Sequence, residues 1–252
     1  MQLDTRSITF NIIAINVLLF VVSWLYPSIG NYLELHYIFN RHDYVAELLG
    51  NAGLAAIYPA VASVVLGYGI DAVGFQPVQL ISHLFMHGGI SHIFFNMYGV
   101  FMFGSILERV WGPQRFLLYY FITGFGAVAL HMLVQALLVM QATGTVDPSL
   151  AQLNAHPDAM GTYFVNTVGA SGAVFGLLAG FAMLFPNTEL MMLFIPFPIK
   201  AKYFVGVYVL IELYLGVAMY GGDNVAHFAH LGGALFGFIL VKIWNKNRHT
   251  LY

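Results

Sequence analysis

Apolar residues in this chain come in long runs separated by short polar stretches. Six runs approach the roughly 20 residues that a bilayer-crossing helix needs: residues 8–26, 91–107, 116–140, 171–185, 203–220 and 225–244. The pattern predicts an all-α membrane protein, a bundle of six transmembrane helices. The first run follows Arg6, but no small-x-small cleavage site follows in Trp24-Leu25-Tyr26-Pro27. It therefore reads as a retained anchor rather than a signal peptide. A seventh apolar stretch, residues 51–67, is rich in Ala and Gly and is interrupted by Pro59. It reads as part of a non-crossing insertion, about residues 43–74, in the external first loop. Residues 1–252 then form a single membrane domain.

Loop charges test this topology. All nine Lys and Arg can be placed. Arg6 precedes the first run, Arg109 and Arg115 separate the second from the third, and Lys200 and Lys202 separate the fourth from the fifth. Lys242, Lys246 and Arg248 close or follow the sixth. These eight share one side. Arg41 alone falls opposite, near Glu34, Asp43 and Glu47, and the third and fifth loops carry Asp147, Asp158 and Asp223 without a basic residue. Basic loops mark the cytoplasmic side, so both termini are expected in the cytoplasm, with a bacterial inner membrane as the expected location. If residues 51–67 crossed alone, every later loop would flip and the rule would fail.

Composition narrows the chemistry. The chain is 60% hydrophobic and 8% charged, against about 25% charged residues in a soluble domain. Lipid is thus the expected solvent. There is no cysteine, which excludes disulfides and thiolate metal sites. No basic tract suggests nucleic acid.

Polar groups inside a membrane are costly and are functional candidates by default. Three clusters stand out: His83-x3-His87-Gly-Gly-Ile-Ser-His92-x3-Asn96 leading into the second run, Gly169-Ala170-Ser171-Gly172 opening the fourth, and His227-x2-His230-Leu231-Gly232-Gly233 early in the sixth. The topology puts all three towards the external face, which suggests one site. The fourth run is short, about 22 Å at 1.5 Å per residue, so Ser171 is expected below the external surface. Irregular backbone at that depth must be buried in protein or line a water-filled cavity. Gly172, Gly176 and Gly180 on one helix, and Gly233 and Gly237 on the other, have the spacing that lets helix backbones approach closely. That approach would bring the Ser171 hydroxyl to the His230 imidazole, which can take its proton. His92 and Asn96 share a helix face, and both can donate to a developing oxyanion, as can the Ser171 N–H.

In these stretches, and in Gly104-x3-Glu108-x3-Gly112, the chain resembles the rhomboid family of intramembrane serine proteases over about residues 75–244. The resemblance implies a rhomboid-like bundle and an endopeptidase acting on transmembrane protein substrates in the lipid bilayer, without a cofactor or metal. It implies Ser171 as nucleophile, His230 as base, and His92 and Asn96 as the oxyanion hole. The family uses a Ser–His dyad, so no acidic third member is expected. An aromatic ring four residues after the serine, here Phe175, is expected to pack on the base. Many relatives carry Trp-Arg in the first loop, where this chain has Val78-Gln79.

Other polar residues have plainer expectations. His83 and His87 are read as structural, His131 as a packing residue and His227 as lining the cavity. Glu108 is read as a helix-end anchor, with Arg109 or Arg115 as partners. Glu212, mid-span in the fifth run, is read as an interhelical hydrogen-bonding residue, with a gate or substrate contact as the alternative. Three rival functions fit these residues less well. A zinc protease lacks its His-Glu-x-x-His. An aspartyl membrane protease lacks a second intramembrane Asp, and Gly67-Tyr68-Gly69-Ile70-Asp71 has one residue too many for its signature. A different class is a transporter, a channel or an inactive relative that only binds membrane helices; relatives of that inactive kind typically lack the serine or the base, and both are present here.

Overall fold

The structure is a computed structural model that describes residues 7–38, 75–191, 197–218 and 224–245. The expected insertion at 43–74 and the stretch 51–67 lie outside the described residues. Helices dominate: α1 (Ile8–Leu25), α2 (Pro27–Leu33) and α3 (Gln79–Ser82), then a 3₁₀ turn (His83–Phe85). The second apolar run forms α4 (Ile90–Gly99), a π-helical turn (Val100–Gly104) and α5 (Ser105–Trp111) in one continuous stretch. Next come α6 (Pro113–Thr143), α7 (Leu150–Ala155), α8 (Pro157–Phe164) and α9 (Ser171–Leu184). A two-residue antiparallel pair, β1 (Glu189–Leu190) with β2 (Ile199–Lys200), leads to α10 (Ala201–Ala218) and α11 (Asn224–Asn245).

Among the described residues, five helices, or runs of helix, are long and apolar enough to cross a membrane: Ile8–Leu25, Ile90–Trp111, Pro113–Thr143, Ala201–Ala218 and Ala226–Asn245. The fourth expected span is present as the shorter apolar helix α9, of 14 residues. Local chemistry sets the ends. Gly112 (φ 79°) and Pro113 turn the chain into α6, and Gly144 closes it in the left-handed conformation, where a side chain would clash. Ser149 and Gln152 cap α7 reciprocally, each satisfying a backbone N–H that the helix start leaves free.

Burial shows which helix is central. Twelve of the 14 residues of α9 are buried, so it is apolar all round and walled by protein, as a core helix should be. Its residues Val174, Leu177, Leu178 and Phe181 share one core with Val100, Phe103, Phe116 and Tyr120. Only Ala201, Glu212 and Gly216 are buried on α10. Glycines control the close contacts. A Cβ at Gly233 would overlap the Gly172 carbonyl, and one at Gly237 would come within 2.9 Å of the Gly176 oxygen, so α9 and α11 touch backbone to backbone. The expectation for α9's own glycines holds only in part. Gly176 and Gly180 face Thr123 and Tyr119 of α6, and the Tyr119 hydroxyl donates to the Gly176 carbonyl at 2.7 Å.

Glu108 anchors a helix end, with different partners from those expected. Its carboxylate accepts from the Ser7 hydroxyl (2.7 Å), the Ile8 N–H (2.7 Å), and the Thr9 N–H and hydroxyl (2.9 and 2.7 Å). It thereby caps α1, where free N–H groups and the helix dipole favour an anion.

Candidate active site

The irregular segment before Ser171 is held from two sides. Leu35 pairs with Thr167 through two backbone hydrogen bonds (3.0 and 2.9 Å), and the Gly169 N–H donates to the His83 carbonyl at 2.9 Å. His83 and His87, both buried, are pushed down to about 4 by burial, so each is neutral at pH 7. The His83 ring bonds the Gln79 carbonyl at 2.7 Å, in keeping with its structural reading. Gln79 is fully buried and ties the first loop together. Its Oε1 accepts from the His36 and Gln76 N–H groups, and its Nε2 donates to the Tyr32 carbonyl.

Gly169 has φ 120°, a conformation that side chains strongly disfavour. Space forbids one as well. A Cβ there would lie 2.7 Å from His92 Nε2 and 3.5 Å from Asn96 Nδ2. The oxyanion candidates therefore stand against Gly169, two residues before Ser171 in the chain. Packing explains their aim. His92, Asn96 and Gly99 lie on one face of α4, and a Cβ at Gly99 would strike Val174 of α9. Asn96 is buried, and its Nδ2 has no hydrogen-bond partner among the described residues, an expensive state for a donor. The His87 ring meets His92 edge-on, centroids 5.0 Å apart.

Across the gap, His230 Nε2 is 2.9 Å from the Ser171 hydroxyl oxygen. The Phe175 ring lies flat on the His230 imidazole, centroids 4.3 Å apart and 4° from parallel, as the resemblance implied. Ser171, His230, His83 and His131 border a cavity of about 40 Å³, room for at least one water. His131 is more than packing: its Nε2 bonds the Thr167 hydroxyl at 2.8 Å. An imidazole nitrogen facing a hydroxyl at this distance, with an unpaired amide nearby, can move a proton and stabilise an oxyanion.

The model of the Rhomboid domain matches residues 74–246. The chain belongs to the rhomboid family. Its rhomboid relatives include RHOMBOID-like protein 4 of Arabidopsis thaliana, 31% identical over 64% of this chain and 32% of that protein. The putative rhomboid protease YdcA of Bacillus subtilis is 28% identical over 75% of this chain and 77% of its own length. Rhomboid-like protease 3 of Toxoplasma gondii is 27% identical over 70% of this chain and 55% of its own. The chain thus spans about a third of the plant relative and about half of the Toxoplasma one. Family and apolar helices together make it an integral, multi-pass membrane protein.

One feature departs from the rhomboid expectation of no acidic partner for the base. Glu212 Oε2 lies 2.9 Å from His230 Nδ1 and 2.7 Å from His227 Nδ1. Glu212 is interhelical and hydrogen-bonded, as its mid-span position suggested, but its partners were not foreseen. The carboxylate side chain is 6% exposed. Among the described residues, Glu212, His227 and His230 are also the group that could hold a metal ion, their ligand atoms within 4.8 Å of one another.

Proposed function

We propose that this chain is an intramembrane serine endopeptidase that hydrolyses peptide bonds in or near transmembrane segments of membrane-protein substrates. The observation that carries the reading is the 2.9 Å contact between the Ser171 hydroxyl and His230 Nε2. Family membership supports it. Ser171 attacks the scissile carbonyl while His230 Nε2 takes its proton. The negative charge that develops on the carbonyl oxygen meets Asn96 Nδ2, a His92 ring N–H and the Ser171 N–H. His230 then returns the proton to the leaving amine, the acyl-enzyme forms, and water admitted to the cavity releases the acid by the reverse sequence. The unpaired Asn96 amide supports the oxyanion role, because a donor left without a partner in the resting site gains one only as charge develops.

The same reading takes residues 1–252 as one domain with six crossings, counting the short α9, and with both termini in the cytoplasm of a bacterial cell. A cysteine placed at Asp147 then reacts with an impermeant thiol reagent from outside, and one at Arg109 reacts only after permeabilisation. The opposite pattern inverts the topology. For the chemistry, Ser171→Ala and His230→Ala each abolish cleavage of a tagged single-span reporter protein in liposomes. Groups acting as one unit are not additive, so the double variant is hardly worse than either single one. Cleavage by Ser171→Ala at the wild-type rate sinks the serine mechanism. Undetectable turnover by the wild-type chain would favour a helix-binding relative.

A further inference from the structure

We infer that Glu212 is the positioning residue of the base, a carboxylate that fixes the tautomer of His230 and is shared with His227. The inference rests on the proposed roles of Ser171 and His230. For Nε2 to accept the serine proton it must be bare, so the ring proton must sit on Nδ1. A bare Nε2 is the minority form unless Nδ1–H has an acceptor. Glu212 Oε2 is that acceptor, 2.9 Å away. Phe175 stacked on the ring restrains its tilt, and Glu212 restrains its rotation about the Cβ–Cγ bond. When Nε2 gains the serine proton, the resulting imidazolium faces a carboxylate across a short hydrogen bond in a poorly hydrated site, where such a contact is strengthened.

The geometry also says why the device differs from a simple triad. The acceptor oxygen is one atom, Oε2, serving both His227 Nδ1 at 2.7 Å and His230 Nδ1 at 2.9 Å. His227 and His230 are three residues apart on α11 and so share a face, while Glu212 reaches them from α10. His227 is the closer partner. Protonation of His227 therefore offsets the charge that His230 feels, and its neutral form leaves that charge in place. The other titratable groups that face this cluster are Tyr208, one turn before Glu212 with its ring on Phe175, and His83 and His131 across the cavity. Of all of these, only Glu212 is an acceptor within hydrogen-bond distance of His230 Nδ1 among the described residues.

The test uses the full-length chain in liposomes, with two readouts on each variant: cleavage of the single-span reporter, and the rate at which a fluorophosphonate labels Ser171 between pH 5 and 9. Glu212→Gln keeps shape and removes charge. It is expected to lower kcat about 10²-fold with KM changed less than about threefold, a smaller loss than the ~10⁴ seen when an unshared triad carboxylate becomes an amide. The acid limb of the labelling profile reports protonation of the base. Removing the carboxylate makes the imidazolium less stable, so in Glu212→Gln that limb moves to lower pH. His227→Ala leaves Glu212 to His230 alone, and the limb moves to higher pH. Glu212→Asp keeps the charge and is expected to restore the position of the limb, though not the full rate. An unmoved limb in both Glu212→Gln and His227→Ala overturns the inference, even if Glu212→Gln is slow, because a residue that merely pins α10 to α11 alters rate or stability but not the limb. Ser171→Ala separates the two layers. If it still cleaves, the nucleophile assignment falls and the inference with it. If it is inert while the limbs stay fixed, only the inference falls.

Discussion

Helices α9 and α10 each contribute one polar side chain to the same site, yet they are built in opposite ways. α9 is short, walled by protein on nearly every side, and touches α11 through bare glycine backbone. α10 is longer, and Leu210, Ile211, Tyr214 and Val217 on it are all exposed to the surroundings of the bundle. In a bilayer those side chains meet lipid, which gives no hydrophobic drive for helix association. α9 is therefore held by packing that admits no alternative. α10 packs on the core through Phe204, Val205 and Tyr208, and Glu212 bonds it to α11. The proposed nucleophile thus rides on a helix walled by protein, and the carboxylate proposed to tune its base rides on a helix that is largely exposed.

The contrast breaks first at Gly233. A Cβ there would overlap the Gly172 backbone, which no rotamer change can relieve. Gly233→Ala is expected to push α11 from α9 and to lower cleavage by about 10²-fold or more, since misplacement by an ångström can cost that much. A lower midpoint of thermal unfolding in detergent should accompany it. Wild-type cleavage by Gly233→Ala would mean that the close contact is dispensable.

A smaller effect, confined to turnover, is expected at Asn96. Asn96→Ala removes one donor and leaves His92 and the Ser171 N–H. The loss of one such donor costs about 10²–10³ in rate, and the remaining donors place this case at the lower end. Steady-state kinetics decide it: KM should hold while kcat falls. A raised KM with unchanged kcat would make Asn96 a docking residue.

The smallest effect is expected on α10. Nothing lies within 4 Å of a Cβ at Gly206. Gly206→Ala should leave cleavage within about twofold and stability unchanged or raised by roughly 0.5–1 kcal/mol through the better helix former. A loss like that of Gly233→Ala would show that α10 is as tightly constrained as α9, and the comparison would fail.

Much of the site could be read from the chain because its residues sit in short local patterns. Ser171 follows a glycine-rich turn, His92 and Asn96 are one helical turn apart, and Phe175 is one turn after Ser171. Contacts that depend on which way a side chain points across helices were harder. Glu212 is obvious as a buried acid, yet nothing in its neighbourhood says that its oxygen reaches α11 and finds two histidines there. The glycines of α9 pose the same problem. Their spacing announces close packing without saying whether the neighbour is α11 or α6; α6 lies where the side chains of Gly172, Gly176 and Gly180 would be, and α11 meets the backbone of Gly172 and Gly176. The Leu35–Thr167 pairing is made wholly by backbone atoms, and any residue pair could have made it, so side-chain identity left no trace.

The cap on α1 bears on how the molecule is assembled. Glu108 stands about 100 residues after the N–H groups it satisfies. A chain made from its N-terminus delivers α1 to the membrane long before that carboxylate exists. The start of the first helix must use water or lipid headgroups in the interim and exchange them later for Glu108. The end of the second apolar run thus acts as a clasp, closed only once the first hairpin of the bundle has been threaded and its two arms have met.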